Sequence, residues 1–305
     1  MRHPYVWLLC LRQARLQRVI DNRPPAIRRM DGVREIRPTS NGSLAVRDHV
    51  VAVEGGAIRV RTYRPRSSVP LPAHLLLHGG GFWTGSVDNV DDLARLYAVR
   101  ANCVVVSVDY RLAPEHPWPT GLEDAYVALR WTVAEADDLG IDASRLSVGG
   151  VSAGGCMAAV VALMARDRGG PPLRFMLLEV PVTDLTASMP SISRFAAGYR
   201  TTKVELEECY EFYVPDPAQR REAYASPLFA DDLSGLPAAV VLTCEYDLLR
   251  DEGIAFADRL RAAGSNVTHV DIRGHVHGST YTTNLASSRS SHYVTADALR
   301  EALHG

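Results

Sequence analysis

Cysteine is scarce in this 305-residue sequence, and its arrangement excludes two kinds of protein. An odd number of widely spaced cysteines, with no Cys-x-x-Cys pair, argues against a secreted disulfide framework and against a zinc site. The ten histidines show no paired spacing typical of metal ligands. We therefore expect a cytoplasmic protein that uses no metal. The cysteines are Cys10, Cys103, Cys156, Cys209 and Cys244.

The sequence also lacks an excess of charge and any long apolar run. Its 33 basic and 35 acidic residues give a net charge of −2, so no global charge attracts nucleic acid or an anionic membrane. No stretch approaches the roughly 20 apolar residues of a membrane span. Apolar residues at 47% and charged residues at 22% are ordinary for a globular enzyme. We expect neither a nucleic-acid partner nor stable membrane insertion.

The N-terminal segment predicts one amphipathic helix followed by an Arg- and Pro-rich connector at 22–45. Such a helix either lies on a membrane surface or packs over the protein, and we favour packing. Residues 1–45 are accordingly expected to form an N-terminal cap helix and its connector. One face of the helix is marked by Val6, Leu9, Gln13, Leu16 and Ile20.

The rest of the chain alternates between strand-like and helix-like segments. This alternation predicts an α/β fold whose mostly parallel sheet is covered by helices on both faces. Residues 185–230 break the pattern, with helical pieces and no strand, and an insertion there would lie over the ligand crevice of such a sheet. We interpret it as a small helical cap. The predicted strands are Val50–Val53, Ile58–Tyr63, Ala73–Leu77, Cys103–Val108, Arg145–Val148, Phe175–Val180, Ala238–Thr243 and Val267–Ile272.

A Gly-x-Ser-x-Gly run at 150–154 follows a predicted strand and precedes a small-residue helix. A serine in this position sits on a strained strand-to-helix turn that exposes its hydroxyl. Gly150 and Gly154 permit the close backbone approach that the turn requires. Ser152 is therefore the predicted nucleophile, and a tight turn with chance glycines is the alternative.

A glycine-rich run, HGGGFW at 78–83, follows the predicted strand Ala73–Leu77. Backbone N–H groups at such glycines can bind the oxyanion of a tetrahedral intermediate. The predicted donors are Gly80, Gly81 and, after the nucleophile, Ala153. A phosphate-binding loop is the rival interpretation, but neither a following Lys-Ser/Thr pair nor a GxGxxG spacing is present. Two aromatic residues are expected to line the substrate pocket, with core packing as the alternative: Phe82 and Trp83.

The acid of such a site is expected between the nucleophile and the histidine in chain order. Asp247 follows the strand Ala238–Thr243 at its carboxyl end and is the preferred acid. Asp184 is a weaker candidate, and Asp251 with Glu252 more naturally cap the following helix.

The strand Val267–Ile272 is followed by two histidines, His275 and His277. One of them is the predicted base, which takes the proton of Ser152 and passes it to the leaving group. Spacing alone leaves the choice between them open.

Together these motifs resemble the hormone-sensitive lipase-like family of carboxylesterases, and they occur in that family's order. The resemblance implies an α/β-hydrolase fold over residues 46–305, with a cap insertion at about 185–230. It also implies Asp247 as acid and His277, rather than His275, as base. The matching runs are HGGGFW at 78–83, DYRLAPEHPWP at 109–119, GVSAGG at 150–155, EYDLLRDEG at 245–253 and HVHG at 275–278.

Functionally, the resemblance implies a serine carboxylesterase of lipid metabolism. Its substrates would be short- to medium-chain carboxylic esters, cleaved through an acyl-enzyme on Ser152 without a cofactor. Arg111 and Glu115 are expected to form an ion pair in the wall behind the nucleophile. The chain departs from the family at Val151 and at two further positions, Leu248 and Ser279, which leaves pocket shape and loop rigidity open.

Two other functions remain as alternatives. The same three residues serve amidases and peptidases, and some relatives of this fold are non-catalytic receptors for small molecules. Such receptors typically lose one of the three residues, whereas here all are present. The partner expected in each case is a small molecule. The oligomeric state is open, a homodimer included.

Overall fold

Runs rich in β-branched residues build the central sheet of the protein. The computed structural model describes residues 44–281 and 286–305. Each of the eight predicted strands is present within these residues, several of them longer than expected. The strands are β1 Leu44–Val53, β2 Gly56–Pro65, β3 Leu71–Leu77, β4 Val104–Asp109, β5 Ile141–Val151, β6 Phe175–Glu179, β7 Ala238–Tyr246 and β8 Val267–Val276.

The eight strands form one sheet in the order β1-β2-β4-β3-β5-β6-β7-β8. The pairs β1–β2 and β2–β4 are antiparallel, and every other neighbouring pair is parallel. Parallel neighbours bring the carboxyl ends of β3, β5, β6, β7 and β8 to one edge of the sheet. The predicted α/β fold with a mostly parallel sheet is confirmed.

Helices cover both faces of this sheet, because each central strand is apolar on both sides. In β3, Leu75 and Leu77 face one core, whereas Leu76 faces the other. Burying a leucine side chain of this kind contributes about 1.5–3 kcal/mol. The helices are α1 Asp91–Arg100, α2 Thr120–Ala134, α3 Ala136–Leu139, α4 Ala153–Asp167, α5 Pro190–Arg194, α6 Lys203–Tyr213, α7 Arg250–Ala262 and α8 Ala286–His304.

The two cores lie on opposite faces of the sheet. Helices α1 and α8 pack on one face, and α2, α4 and α7 contribute their apolar residues to the other. Helix α4 is built from small residues, and nearly all of it is buried. Small side chains allow α4 to lie close to β5, the strand that leads into it.

The segment 185–230 is described throughout and contains α5, α6 and two short 3-10 helices at Pro217–Arg221 and Pro227–Phe229, but no strand. Helix α6 begins at a capping box. The Thr202 hydroxyl accepts from the Glu205 N–H at 3.2 Å, and the Glu205 carboxylate accepts from the Thr202 N–H at 2.8 Å. Such a box satisfies two N–H groups that would otherwise lack partners at the helix start.

The predicted N-terminal cap helix and residues 22–43 of its connector lie outside the described residues. Over the ranges 44–281 and 286–305, we find no helix long and apolar enough to cross a membrane. The four cysteines in these ranges, Cys103, Cys156, Cys209 and Cys244, carry free thiols.

Candidate active site

The turn between β5 and α4 holds Ser152 in a strained conformation. Its φ of 56° and ψ of −118° lie outside the regions that residues other than glycine favour. The Ser152 N–H donates to the Glu179 carbonyl at 2.8 Å, which ties the turn to β6. A Cβ atom at Gly150 or Gly154 would collide with backbone carbonyl groups, so both positions require glycine. The sequence-predicted turn is therefore present.

The structure brings Ser152, His277 and Asp247 together from the ends of three strands. His277 Nε2 lies 3.0 Å from Ser152 Oγ, and His277 Nδ1 lies 2.7 Å from Asp247 Oδ2. Asp247 is 1% exposed, and its other oxygen accepts from the Leu249 N–H at 2.9 Å. A carboxylate at Nδ1 holds the proton there, which leaves Nε2 free to accept the proton of the serine.

The alternative base and acids have other partners. His275 is buried, and its two ring nitrogens each lie 2.9 Å from a serine hydroxyl, those of Ser279 and Ser287. Asp251, in the first turn of α7, accepts from a backbone N–H at the start of α5. Asp184 accepts from backbone and hydroxyl groups two and four residues further on. The geometry thus separates candidates that spacing alone left open.

The glycine-rich loop after β3 lies against the nucleophile turn. A Cβ atom on Gly79 would stand 3.4 Å from the Ser152 Cβ. Gly80 and Gly81 have φ values of 129° and 60°, which only glycine adopts at low cost, and both line the cavity that contains Ser152. Ala153, the third predicted oxyanion donor, is the buried first residue of α4.

A cavity of about 550 Å³ opens onto Ser152. Trp83 lines this cavity, and its indole N–H donates to the Cys209 sulfur on α6 at 3.2 Å. Phe82 also borders the cavity but is 1% exposed, and its ring stacks on Tyr213 at 3.8 Å. The Phe82 ring therefore serves mainly to pack the loop against the end of α6.

The residue before the nucleophile, Val151, is buried and belongs to the core that also contains Leu76 and Val180. The turn is instead held by backbone hydrogen bonds, including one from the Val182 N–H to the Ser152 carbonyl at 3.2 Å. This departure from the family pattern leaves the turn intact.

The predicted ion pair between Arg111 and Glu115 needs correction. Arg111 is held by Asp124, whose carboxylate accepts from the guanidinium at 2.9 and 2.7 Å and from the Arg111 N–H at 3.0 Å. Asp124 lies on α2 and is almost fully buried, so a fixed partner is needed to stabilise its charge. This pair could not be predicted from the sequence, because no motif links the two positions.

A buried carboxyl group lies behind the nucleophile turn. Glu179, whose carbonyl accepts from Ser152, directs its side chain to Tyr97, which donates at 2.5 Å. Burial disfavours the charged form and raises the pKa of Glu179 to about 7. Tyr97 also reaches Thr295 at 3.1 Å, so this polar cluster joins β6 to α1 and α8.

We expect Glu179→Gln to stabilise the protein increasingly as the pH rises. In wild type, the folded chain retains the Glu179 proton between about pH 4.5 and 7 while the unfolded chain has lost it, so stability falls over this window. Glutamine has no such ionisation, and the gain above pH 7 should be on the order of 3 kcal/mol, the free energy of the pKa shift. Urea unfolding of both proteins at pH 5 and 8 measures this gain in the free energy of unfolding.

Glu301→Gln, an exposed change on α8, is the matched control and should show no pH-dependent difference. A Glu179→Gln gain that is equal at both pH values would contradict the assignment of the shift to this carboxyl.

Comparisons with known proteins show which family this chain matches and which esterases it is similar to. A family model described as the alpha/beta hydrolase fold matches residues 74–280. The chain is 39% identical to the carboxylesterase NlhH of Mycobacterium tuberculosis over 86% of this chain and 87% of that protein. It is 39% identical to an ethyl acetate hydrolase of Pseudomonas putida over 78% of this chain and 74% of that protein. The crystal structure of a thermostable esterase from Pseudomonas putida superimposes with a TM-score of 0.93 at 32% identity, over 100% of this chain and 98% of that one.

Proposed function

The chain belongs to the alpha/beta-hydrolase family, within its esterase branch as its motifs predicted, and on this premise we propose that it is a serine carboxylesterase. The observation that carries the proposal is the continuous hydrogen-bonded path from Asp247 through His277 to Ser152. A serine hydroxyl is a weak nucleophile at neutral pH unless an adjacent base removes its proton. In this path, His277 is that base and Asp247 orients it.

In the acylation step, Ser152 Oγ attacks the carbonyl carbon of the ester while His277 Nε2 takes the hydroxyl proton. The charge that develops on the carbonyl oxygen is stabilised by the backbone N–H groups of Gly80, Gly81 and Ala153. When the tetrahedral intermediate collapses, the bond to the alcohol oxygen breaks and His277 donates the proton to that oxygen. The product alcohol leaves, and the acyl group remains on Ser152.

In the deacylation step, water replaces the alcohol. His277 removes a proton from the water, which attacks the acyl carbonyl, and the same proton then returns to Ser152 as the acid leaves. Asp247 stabilises the imidazolium form of His277 that arises in each step. Apart from the substrate and this water, each step uses a group that this chain provides.

We further propose that residues 185–230 act as the cap of the pocket. Helix α6 contributes Leu206, Cys209 and Tyr210 to the cavity wall, where Cys209 contacts Trp83 of the glycine-rich loop. The cavity volume suits an acyl or alcohol group of moderate length. Each methylene that enters it should add up to about 0.8 kcal/mol of binding, roughly fourfold in kcat/KM, until the space is filled.

We expect kcat/KM for p-nitrophenyl esters to rise from acetate to a maximum at about four to eight acyl carbons and then to fall by at least roughly tenfold at twelve. Diethyl p-nitrophenyl phosphate should inactivate the enzyme with one adduct, which mass spectrometry places on Ser152. An anilide of the best acyl group is the control and should react far more slowly. Absence of ester turnover, or an adduct elsewhere, would refute the proposal, and equal rates would favour the amidase alternative.

A further inference from the structure

The segment 195–200, between α5 and α6, lies against the loop that carries the acid. Tyr246 immediately precedes Asp247, and the Tyr199 ring stacks on it at 5.9 Å and 15°. Phe195 meets both rings edge-on, at 5.0 Å from Tyr199 and 6.0 Å from Tyr246. Aromatic pairs in these geometries are each worth about 0.5–1.5 kcal/mol beyond the area that they bury. The segment is therefore packed firmly against the end of β7.

The same aromatic rings reach the loop that carries the base. Val276 immediately precedes His277 and is fully buried, with Tyr199 and Tyr246 packed against it. Three stretches that are distant in sequence thus meet in one small cluster, directly behind the pair of Asp247 and His277. Of these aromatic residues, Tyr246 belongs to the EYDLLRDEG run at 245–253, whereas Phe195 and Tyr199 belong to no motif that the sequence singled out.

Arg200, at the end of this segment, contacts the catalytic histidine's own backbone. Its Nη1 donates to the His277 carbonyl at 3.2 Å, and the guanidinium covers Gly278, where a Cβ atom would stand 2.7 Å from Nη1. Arg200 has a φ of 77°, a left-handed conformation that costs a non-glycine residue free energy. Arg200, His277 and Ser152 all line the same cavity.

Building on the esterase function proposed above, we propose that Arg200 is a positioning residue for His277. The hydrogen bond to the His277 carbonyl, backed by the Tyr199–Tyr246–Val276 packing, fixes the backbone from which the imidazole projects. The base must stay aligned with Ser152 Oγ in acylation and with water in deacylation. Since a misplacement of about 1 Å can cost roughly 100-fold in rate, a cap residue that fixes this backbone controls kcat.

The test is Arg200→Met, which keeps much of the apolar stem and removes the donor. We expect kcat for p-nitrophenyl butyrate to fall roughly 10- to 100-fold while KM changes by less than about threefold. The rate of phosphorylation of Ser152 by diethyl p-nitrophenyl phosphate should fall by a similar factor, because it reports activation of the serine without deacylation. Arg200→Lys retains a donor and should recover part of both rates. Melting temperatures of the variants should stay within a few degrees of wild type.

Arg194→Met removes the same charge from an exposed position on α5 and is the matched control, with kcat and KM expected to match wild type. A rise in KM at constant kcat would overturn the inference and make Arg200 a substrate-binding residue. The inference would also be overturned if Arg194→Met lost as much kcat as Arg200→Met. It would likewise be overturned if kcat of Arg200→Lys were no higher than that of Arg200→Met. The proposed function is tested separately by ester hydrolysis with the wild-type protein. The result of that measurement does not depend on the activity of the Arg200 variants.

Discussion

Ser152→Ala should lower kcat for p-nitrophenyl butyrate by roughly 10⁶-fold, the size of loss that removal of the nucleophile causes in a serine hydrolase. The Ser152 hydroxyl is the group within reach of His277 Nε2, at 3.0 Å, and no acyl-enzyme can form without it. A small residual rate is expected, because the oxyanion donors and substrate binding still act on attack by water.

The variant should remain folded. Alanine accepts the strained turn about as well as serine does, and the backbone bond from residue 152 to the Glu179 carbonyl does not involve the side chain. Circular dichroism and thermal melting establish this, and phosphorylation by diethyl p-nitrophenyl phosphate should be lost together with turnover. Ser144→Ala, at an exposed position of the same strand, is the control and should keep wild-type activity. A Ser152→Ala variant with more than about a tenth of wild-type kcat would exclude Ser152 as the nucleophile.

Patterns with a local physical cause could be predicted from the sequence. Eight runs of apolar and β-branched residues gave eight strands, and in central strands such as β3, β4 and β6 that composition is needed because they are buried on both faces. The placement of Ser152, Asp247 and His277 at strand ends also follows from chain order. Parallel strands bring such ends to one edge of the sheet, so the three residues meet although up to 125 positions separate them.

Features that depend on side-chain packing between distant segments could not be predicted. The Asp124 partner of Arg111 lies 13 positions away on a helix, and nothing in the intervening sequence marks it. Phe82 could be placed beside the pocket, but its stacking on Tyr213 depends on how the end of α6 approaches the glycine-rich loop. The hydrogen bond from Arg200 to the His277 carbonyl could not be predicted for the same reason, since any residue can present a backbone carbonyl.

Asp247→Asn should lower kcat by roughly 10³- to 10⁴-fold, a loss second only to that of the nucleophile. The two oxygens of Asp247 have different partners: Oδ1 accepts from the Leu249 N–H at 2.9 Å, and Oδ2 accepts from His277 Nδ1 at 2.7 Å. An asparagine would keep its carbonyl oxygen on the Leu249 donor and would therefore turn its NH₂ group toward His277. Nδ1 would then have to accept a hydrogen bond, which places the imidazole proton on Nε2, where it faces Ser152 and cannot take the serine's proton.

The variant's KM should change little, because Asp247 is buried behind the imidazole and does not line the cavity. Asp251→Asn, four positions further on in the first turn of α7, is the matched control and should stay within about threefold of wild type, since its carboxylate faces the start of α5. The double variant Ser152→Ala/Asp247→Asn should be no slower than Ser152→Ala alone, because an aligned base has no effect once its nucleophile is gone. If the two losses instead multiplied, Asp247 would act on the reaction by a route that does not pass through Ser152, and the assignment of Asp247 as the acid would have to be abandoned.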